Sequence, residues 1–124
     1  INEIVKALGI DGCINTPCSW SYRPTARVMA DEEADEDLRH GTQIDLLIDR
    51  KDETINICEM KFYKSEFEIS KEYEEKLLEK LRIFTEETKT SKSLLLTLIT
   101  SFGLKQNKHS DIVQKQITMD ELFI

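Results

Sequence analysis

Residues 41–62, GTQIDLLIDRKDETINICEMKF, predict two β-strands joined by a polar turn over 51–53. Successive side chains of a strand alternate between its faces, so residues of one parity share a face. In an antiparallel hairpin closed at this turn, Asp45 of the first strand lies roughly opposite Glu59 of the second. The side chains expected on these faces are Gln43, Asp45, Leu47 and Asp49 on the first strand, and Ile55, Ile57, Glu59 and Lys61 on the second.

The facing carboxylates of Asp45 and Glu59 predict a cation site. Cross-strand neighbours have Cβ atoms about 5 Å apart, and like charges there destabilise a sheet unless something compensates them. A divalent cation would compensate them, and carboxylate oxygens suit Mg²⁺ or Mn²⁺. Lys61, two residues beyond Glu59 on the same face, would then orient or deprotonate an attacking water or steady a scissile phosphate.

The arrangement of an Asp on one strand and the tripeptide Glu59-Met60-Lys61 on the next resembles the signature of the PD-(D/E)XK nuclease superfamily. The resemblance implies catalytic roles for Asp45, Glu59 and Lys61. It also implies a metal held by both carboxylates and by the backbone carbonyl of Met60. The sequence departs from the signature in one respect, because Ile44 stands where that family often has Pro.

Length and composition indicate one domain, residues 1–124, with a single core. No apolar run approaches the roughly 20 residues of a membrane span, and no signal peptide is present, so we expect a cytoplasmic protein without membrane contact. The three cysteines form no CxxC pair and are expected to be free thiols. The net charge of −7 counts against a nonspecific nucleic-acid binder, but six acidic residues within 31–37 supply much of it.

The order of predicted elements is helix, three strands, helix and two strands. This order resembles the restriction-endonuclease-like αβββαβ core, an α/β fold whose mixed sheet is flanked by helices, with one extra C-terminal strand. The connection over 24–40 is expected to be a solvated loop or a short exposed helix. The predicted elements are a helix over 1–8, a strand within 10–23 that Pro17 places near a sheet edge, the hairpin strands, a helix over 71–88 capped by Ser70, a buried strand over 93–101, and a half-buried strand over 111–118 followed by the turn MDELF.

Several segments together narrow the resemblance. GTQIDLLIDR, INICEMKFYKSEF, the long helix and the ending VQKQITMDELF look like the C-terminal nuclease-like domain found behind an AAA-type ATPase module in bacterial and archaeal proteins. We therefore expect an ATPase module upstream, which would also explain why the chain opens in a helical pattern without Met. No GxxxxGK[ST] phosphate loop occurs within these residues.

Four further residues are candidates for contact with substrate. Trp20 could stack on a nucleic acid, although such clusters more often serve packing. Gln43 could contact substrate or orient the site, or be only an edge hydrogen-bonder. Lys76 and Lys80, one turn apart on the long helix, could face the active site or serve solubility.

Two functions from different classes follow from the resemblance. The first is a metal-dependent phosphodiesterase acting on nucleic acid, DNA rather than RNA, with Mg²⁺ or Mn²⁺ as cofactor. The second is a catalytically weak or inactive nuclease-like module that regulates the attached ATPase. The negative net charge of the chain favours the second function, and the presence of all three motif residues favours the first. The sequence is also compatible with a homo-oligomer.

Overall fold

The hairpin predicted from residues 41–62 forms the middle of a five-stranded mixed sheet in the computed structural model. The structure describes residues 15–33 and 39–122, with the side chains of 18–33 and 39–120. The predicted first helix over 1–8, Cys13, residues 34–38 of the acidic run and Phe123 lie outside the described residues. The elements are β1 (Asn15–Tyr22), α1 (Ala26–Ala30), β2 (Thr42–Arg50), β3 (Thr54–Lys61), α2 (Lys71–Thr88), β4 (Ser93–Thr100), a 3-10 helix (Ser110–Ile112), β5 (Lys115–Thr118) and α3 (Met119–Leu122).

The strands follow one another across the sheet in the order β1-β2-β3-β4-β5. β1, β2 and β3 pair antiparallel, whereas β3, β4 and β5 pair parallel. Parallel neighbours need a crossover connection, and α2 supplies it between β3 and β4. The α/β class, the mixed sheet and the edge position of the strand containing Pro17 are confirmed.

The helix α2 has the predicted bounds. The Ser70 hydroxyl accepts a hydrogen bond from the Tyr73 backbone N–H at 3.1 Å, as an N-cap should. At the other end Lys89 adopts a left-handed conformation with φ 55°, and its N–H donates to the Thr85 carbonyl. The apolar stripe of α2 packs on the sheet through a buried cluster that contains Ile44, Leu47, Ile55, Ile57, Leu77, Phe84 and Leu96.

The C-terminal strand is shorter than predicted. Residues 111–118 were expected to form one strand, but Ser110–Ile112 is a 3-10 helix and β5 begins only at Lys115. The Asn107 side chain accepts hydrogen bonds from the N–H groups of His109 and Ser110, which favours this local turn over an extended chain. The interior strand β4, by contrast, is buried over 96–100 as expected.

The predicted strict alternation of β2 is wrong, because the pairing of β1 with β2 contains a β-bulge. Cys18 pairs with Leu47 and Trp20 pairs with Ile44, so three steps along β2 match two steps along β1. Ile44 and Leu47 consequently belong to the same buried cluster on the α2 side, although their parity differs. Counted from Ile44, Gln43 falls on the opposite face from the one predicted, and Asp45, whose side chain is bonded to Gln43, falls there with it.

The helices that the structure describes are too short or too rich in charged residues to cross a lipid bilayer.

Candidate functional site

The two motif carboxylates lie at neighbouring positions where the hairpin opens. The described pairing of β2 with β3 runs from Arg50 opposite Thr54 to Leu46 opposite Cys58. Asp45 and Glu59 are the next residue on each strand beyond that last pair. Both positions therefore lie at the open end of the ladder, where the described pairing stops short of them, and the two side chains have different surroundings.

Glu59 forms an ion pair with Lys80 of α2. The Lys80 Nζ lies 2.5 Å from Glu59 Oε1, and the two side chains are 21% and 14% exposed. Lys80 follows Leu77 by three residues on α2, which places both on the side of the helix that meets the sheet. An ammonium of the chain itself thus compensates the charge of Glu59.

Glu59 and Lys61 line one cavity between the open end of the hairpin and α2. Its volume is about 470 Å³, and three lysines and two glutamates contribute to its wall. Glu79 is held by His40, whose Nδ1 lies 2.7 Å from Glu79 Oε1. The lining residues are His40, Gly41, Thr42, Glu59, Lys61, Tyr73, Lys76, Leu77, Glu79 and Lys80.

Tyr73 is the aromatic wall of this cavity. The Lys61 Nζ lies 4.9 Å from the centroid of its ring, within the range of a cation–π interaction. Burial, followed by the charge of Glu59 and the phenol of Tyr63, raises the pKa of Tyr73 well above its usual range. The hydroxyl oxygen is buried and has no hydrogen-bond partner among the groups that the structure describes.

Asp45 and Gln43 lie beside the cavity and are not among its lining residues. Both side chains are exposed, and the Gln43 Nε2 donates to Asp45 Oδ1 at 2.7 Å. Gln43 lines an adjacent cleft, which shares Gly41 and Thr42 with the cavity. The structure therefore gathers Glu59, Lys61, Lys76 and Lys80 around one cavity and places Gln43 in the adjacent cleft, with Asp45 bonded to Gln43.

Trp20 lines the same cleft as Gln43, but its ring also belongs to the core. It packs edge-on against Phe84 of α2, with ring centroids 5.1 Å apart. Trp20 thus has the packing role that the sequence left open, with part of its surface still facing the cleft.

Met60 pairs with Ile99 in the parallel ladder of β3 and β4, and the residue is 38% exposed.

The thiol nearest the site is that of Cys58, which precedes Glu59. Cys58 is buried, and this burial together with the carboxylate of Glu59 raises its pKa to about 12. A thiol with so high a pKa stays protonated near neutral pH and is a poor nucleophile and metal ligand. The described cysteines, Cys18 and Cys58, are both free, as expected.

The carboxylates in the cavity wall are Glu59 and Glu79, whereas Asp45 lies outside it. Within residues 15–33 and 39–122, no three His, Cys, Asp or Glu side chains converge on one point. Mg²⁺ usually keeps several waters and takes only one or two protein carboxylates, so a site at Glu59 would not need a third ligand. A cation at Glu59 would have to displace the ammonium of Lys80.

The sequence pattern predicts no role in this site for Tyr73, Glu79 or His40. A signal for Tyr73 existed, since Tyr73, Lys76 and Lys80 recur at helical spacing and so share one side of α2. The contact of His40 with Glu79 joins residues 39 apart in the chain, and no local pattern predicts such a pair.

Comparison of the chain with models of protein families, with curated proteins and with solved structures found no match.

Proposed function

We propose that this chain is a PD-(D/E)XK-like domain that hydrolyses phosphodiester bonds of nucleic acid with the help of Mg²⁺ or Mn²⁺. One observation supports the proposal most. Glu59 and Lys61 of the acidic-x-Lys tripeptide line a cavity together with two further lysines, Lys76 and Lys80 of α2. The order of the described elements, with the hairpin directly before a long helix, is compatible with the αβββαβ core of that superfamily.

The position of each residue suggests its role in the proposed reaction. Asp45 and Glu59 would hold the cation, with the Met60 carbonyl as a third oxygen donor. The bound metal would supply an activated water and polarise the phosphate. Lys61, kept over the Tyr73 ring, would steady the scissile phosphate or assist the attacking water. Lys76, exposed at the cavity wall, would attract the substrate backbone.

The partners follow from the same reasoning. The proposed substrate is a nucleic acid, DNA rather than RNA, and the resemblance of the sequence to ATPase-associated domains implies an ATPase module as partner. The excess of lysines over glutamates in the cavity wall attracts a polyanion despite the acidic chain.

A second function is supported by the partners of the two carboxylates. Glu59 is neutralised by Lys80, and Asp45 accepts from Gln43 outside the cavity, so each is satisfied without a cation. Such a site suits a nuclease-like module that binds nucleic acid or regulates the attached ATPase without cutting.

Metal binding and cleavage separate the two functions. We expect the wild type to bind Mn²⁺ in a calorimetric titration and to cleave at least one of single-stranded DNA, double-stranded DNA and RNA. Asp45→Ala should lose metal binding. Lys61→Ala should keep metal binding but lose at least about 100-fold in cleavage rate, the scale of a lost acid–base or electrostatic group.

Lys115→Ala is the matched control, because Lys115 is an exposed lysine on the edge strand β5. It should retain both metal binding and cleavage. A wild type that takes up no Mn²⁺ and cuts none of these substrates would remove the catalytic function and leave the binding module. Equal cleavage by wild type and Lys61→Ala would remove the catalytic role of Lys61, and equal cleavage by Asp45→Ala would trace the activity to a contaminant.

A further inference from the structure

Three aromatic residues in the described part of the chain are more than half exposed at one edge of the sheet. Phe62 and Tyr63 follow the end of β3, and Phe102 follows the end of β4. Their exposed fractions are 52%, 52% and 63%. Because β3 and β4 are parallel, with Lys61 paired to Thr100, both segments leave the sheet on the same side. Ligands of open α/β sheets bind at the carboxyl ends of the strands, so these rings lie where a ligand is expected.

The ring of Tyr63 is supported by Phe67. The two centroids lie 5.2 Å apart, with the ring planes at 37°. Phe67 is itself 8% exposed, and backbone hydrogen bonds tie it to the segment after β4. Its N–H donates to the Gly103 carbonyl at 3.0 Å, and its carbonyl accepts from the Lys105 N–H at 2.9 Å. The support for Tyr63 is thus formed without a ligand, and a preorganised ring binds with little ordering cost.

Contacts between rings connect Tyr63 to the lysine-lined cavity. Phe67, which supports Tyr63, meets Tyr73 edge-on with centroids 5.4 Å apart. Tyr73 belongs to the cavity wall, and the Lys61 Nζ lies 4.9 Å from the centroid of its ring. Lys61 also precedes Tyr63 by only two residues in the chain. An exposed ring therefore lies beside a cavity that carries positive charge.

The charges of the cavity favour a polyanion as the ligand. Lys61 and Lys76 form no ion pair with the residues that the structure describes. In the segment after β3, the exposed Lys64 and Glu66 offset each other, so the attraction comes from the cavity. An apolar protein surface would leave the two ammonium groups without partners. A nucleic-acid strand offers phosphates to the lysines and flat bases to the ring.

We infer that Tyr63 is a stacking platform for an unpaired base of a nucleic-acid strand whose phosphates lie against Lys61 and Lys76. The inference rests on the proposed function for the class of ligand, and it narrows that class to strands with unpaired bases. A ring can stack on a base only where the base is not enclosed in a duplex. Phe62 and Phe102 extend the aromatic surface to further bases.

Tyr63→Leu tests the inference, because it removes the ring and keeps an apolar side chain against Phe67. Binding of a short fluorescein-labelled single-stranded DNA is measured by anisotropy in EDTA, so that no metal contributes and no strand is cut. We expect the dissociation constant to rise at least about fivefold, the scale of one lost base–aromatic stack. Tyr63→Phe retains the ring and should bind within about twofold of the wild type.

Changes in the DNA test the same contact without any change in the protein. An abasic strand of the same length keeps the phosphates and offers no bases. The wild type should bind it at least about fivefold more weakly than the normal strand, and Tyr63→Leu should discriminate less between the two. Duplex DNA of the same sequence should also bind the wild type more weakly than the single strand.

Leu78→Ala is the control. Leu78 is an apolar residue of α2 that is 42% exposed, and it is not among the lining residues of the cavity. Its replacement should leave the affinity for every one of these DNA probes unchanged.

Any of four results would overturn the inference. They are a wild type that binds no DNA in EDTA, wild-type affinity in Tyr63→Leu, an equal loss in Tyr63→Phe and Tyr63→Leu, and equal binding of normal and abasic strands by the wild type. If Tyr63→Leu keeps its affinity but turns a wild-type dimer into a monomer in sedimentation, the exposed rings form a contact between copies instead.

Cleavage is decided separately. If the stacking results hold while the wild type never cuts DNA or RNA, the platform stands and the proposed nuclease activity falls. If the wild type cuts DNA while Tyr63→Leu binds and cuts equally well, the nuclease activity stands and the platform falls.

Discussion

Glu59 carries its negative charge in a partly buried position, and Lys80 stabilises it there. A carboxylate that is 14% exposed loses much of its hydration, and a cation at 2.5 Å restores part of that loss. From the sequence, a metal ion was the expected source of compensation. The structure shows that the chain also supplies one of its own, from the helix that follows the motif.

Replacement of Lys80 by Met should destabilise the protein, because it leaves Glu59 without its counter-charge. We expect a loss of about 1 to 2 kcal/mol in the free energy of unfolding, measured with urea, since both side chains retain some contact with water. The exposed neighbour Lys76 provides the control, and Lys76→Met should change stability by less than about 0.5 kcal/mol.

The same pair of variants reports on the metal. If Glu59 is a ligand, millimolar Mn²⁺ should stabilise Lys80→Met more than the wild type, because the cation no longer competes with an ammonium. Equal stabilities of the two lysine variants without metal would show that the ion pair contributes nothing.

At the scale of the element, α2 was predictable and β2 was predictable only in part. The bounds of α2 depend on local features, the Ser70 cap and an apolar stripe at helical spacing, which the sequence displays directly. The bulge in β2 depends on how that strand pairs with β1, some 25 residues earlier in the chain. Pairing across such a distance leaves no local pattern, so the sequence predicts the wrong faces for Gln43, Ile44 and Asp45.

The N-cap of α2 offers a direct measurement of its local stability. Ser70→Ala removes the side-chain acceptor for the Tyr73 N–H, and we expect a loss of about 1 kcal/mol in the free energy of unfolding. Because Tyr73 begins the cavity wall, the same change should also weaken DNA binding slightly.

Ser65→Ala is the control for this substitution, since Ser65 is exposed in the loop before the helix. The two variants should differ clearly in urea midpoint. Equal midpoints would mean that the cap hydrogen bond adds nothing to the stability of α2.

Over the whole molecule, charge is unevenly distributed. The chain has a net charge of −7, yet three lysines line the cavity, where the described part of the structure gathers the motif residues Glu59 and Lys61. The composition predicted weak nonspecific binding, and it could not show that Lys61, Lys76 and Lys80 converge. Their convergence requires β3 and α2 to pack together, which only the tertiary structure provides.

The salt dependence of binding should reflect this small basic site. Each phosphate contact to a single strand contributes a slope of about −0.7 in the logarithm of the binding constant against the logarithm of salt concentration. Contacts from Lys61 and Lys76, the cavity lysines that do not pair with Glu59, therefore predict a slope of about −1.4, measurable by anisotropy between low and moderate KCl. Lys115→Ala should leave the slope unchanged, and a slope steeper than about −5 would point to a second basic surface.

The bulge in β2 also determines how this chain should be aligned with related sequences. Three residues of β2 span the distance that two residues span on β1, so the segment between Ile44 and Leu47 holds one residue more than a regular strand would. A homologue with a regular strand is expected to lack one residue there. An alignment without that gap would displace Asp45 by one position and match it to a side chain on the wrong face of the sheet.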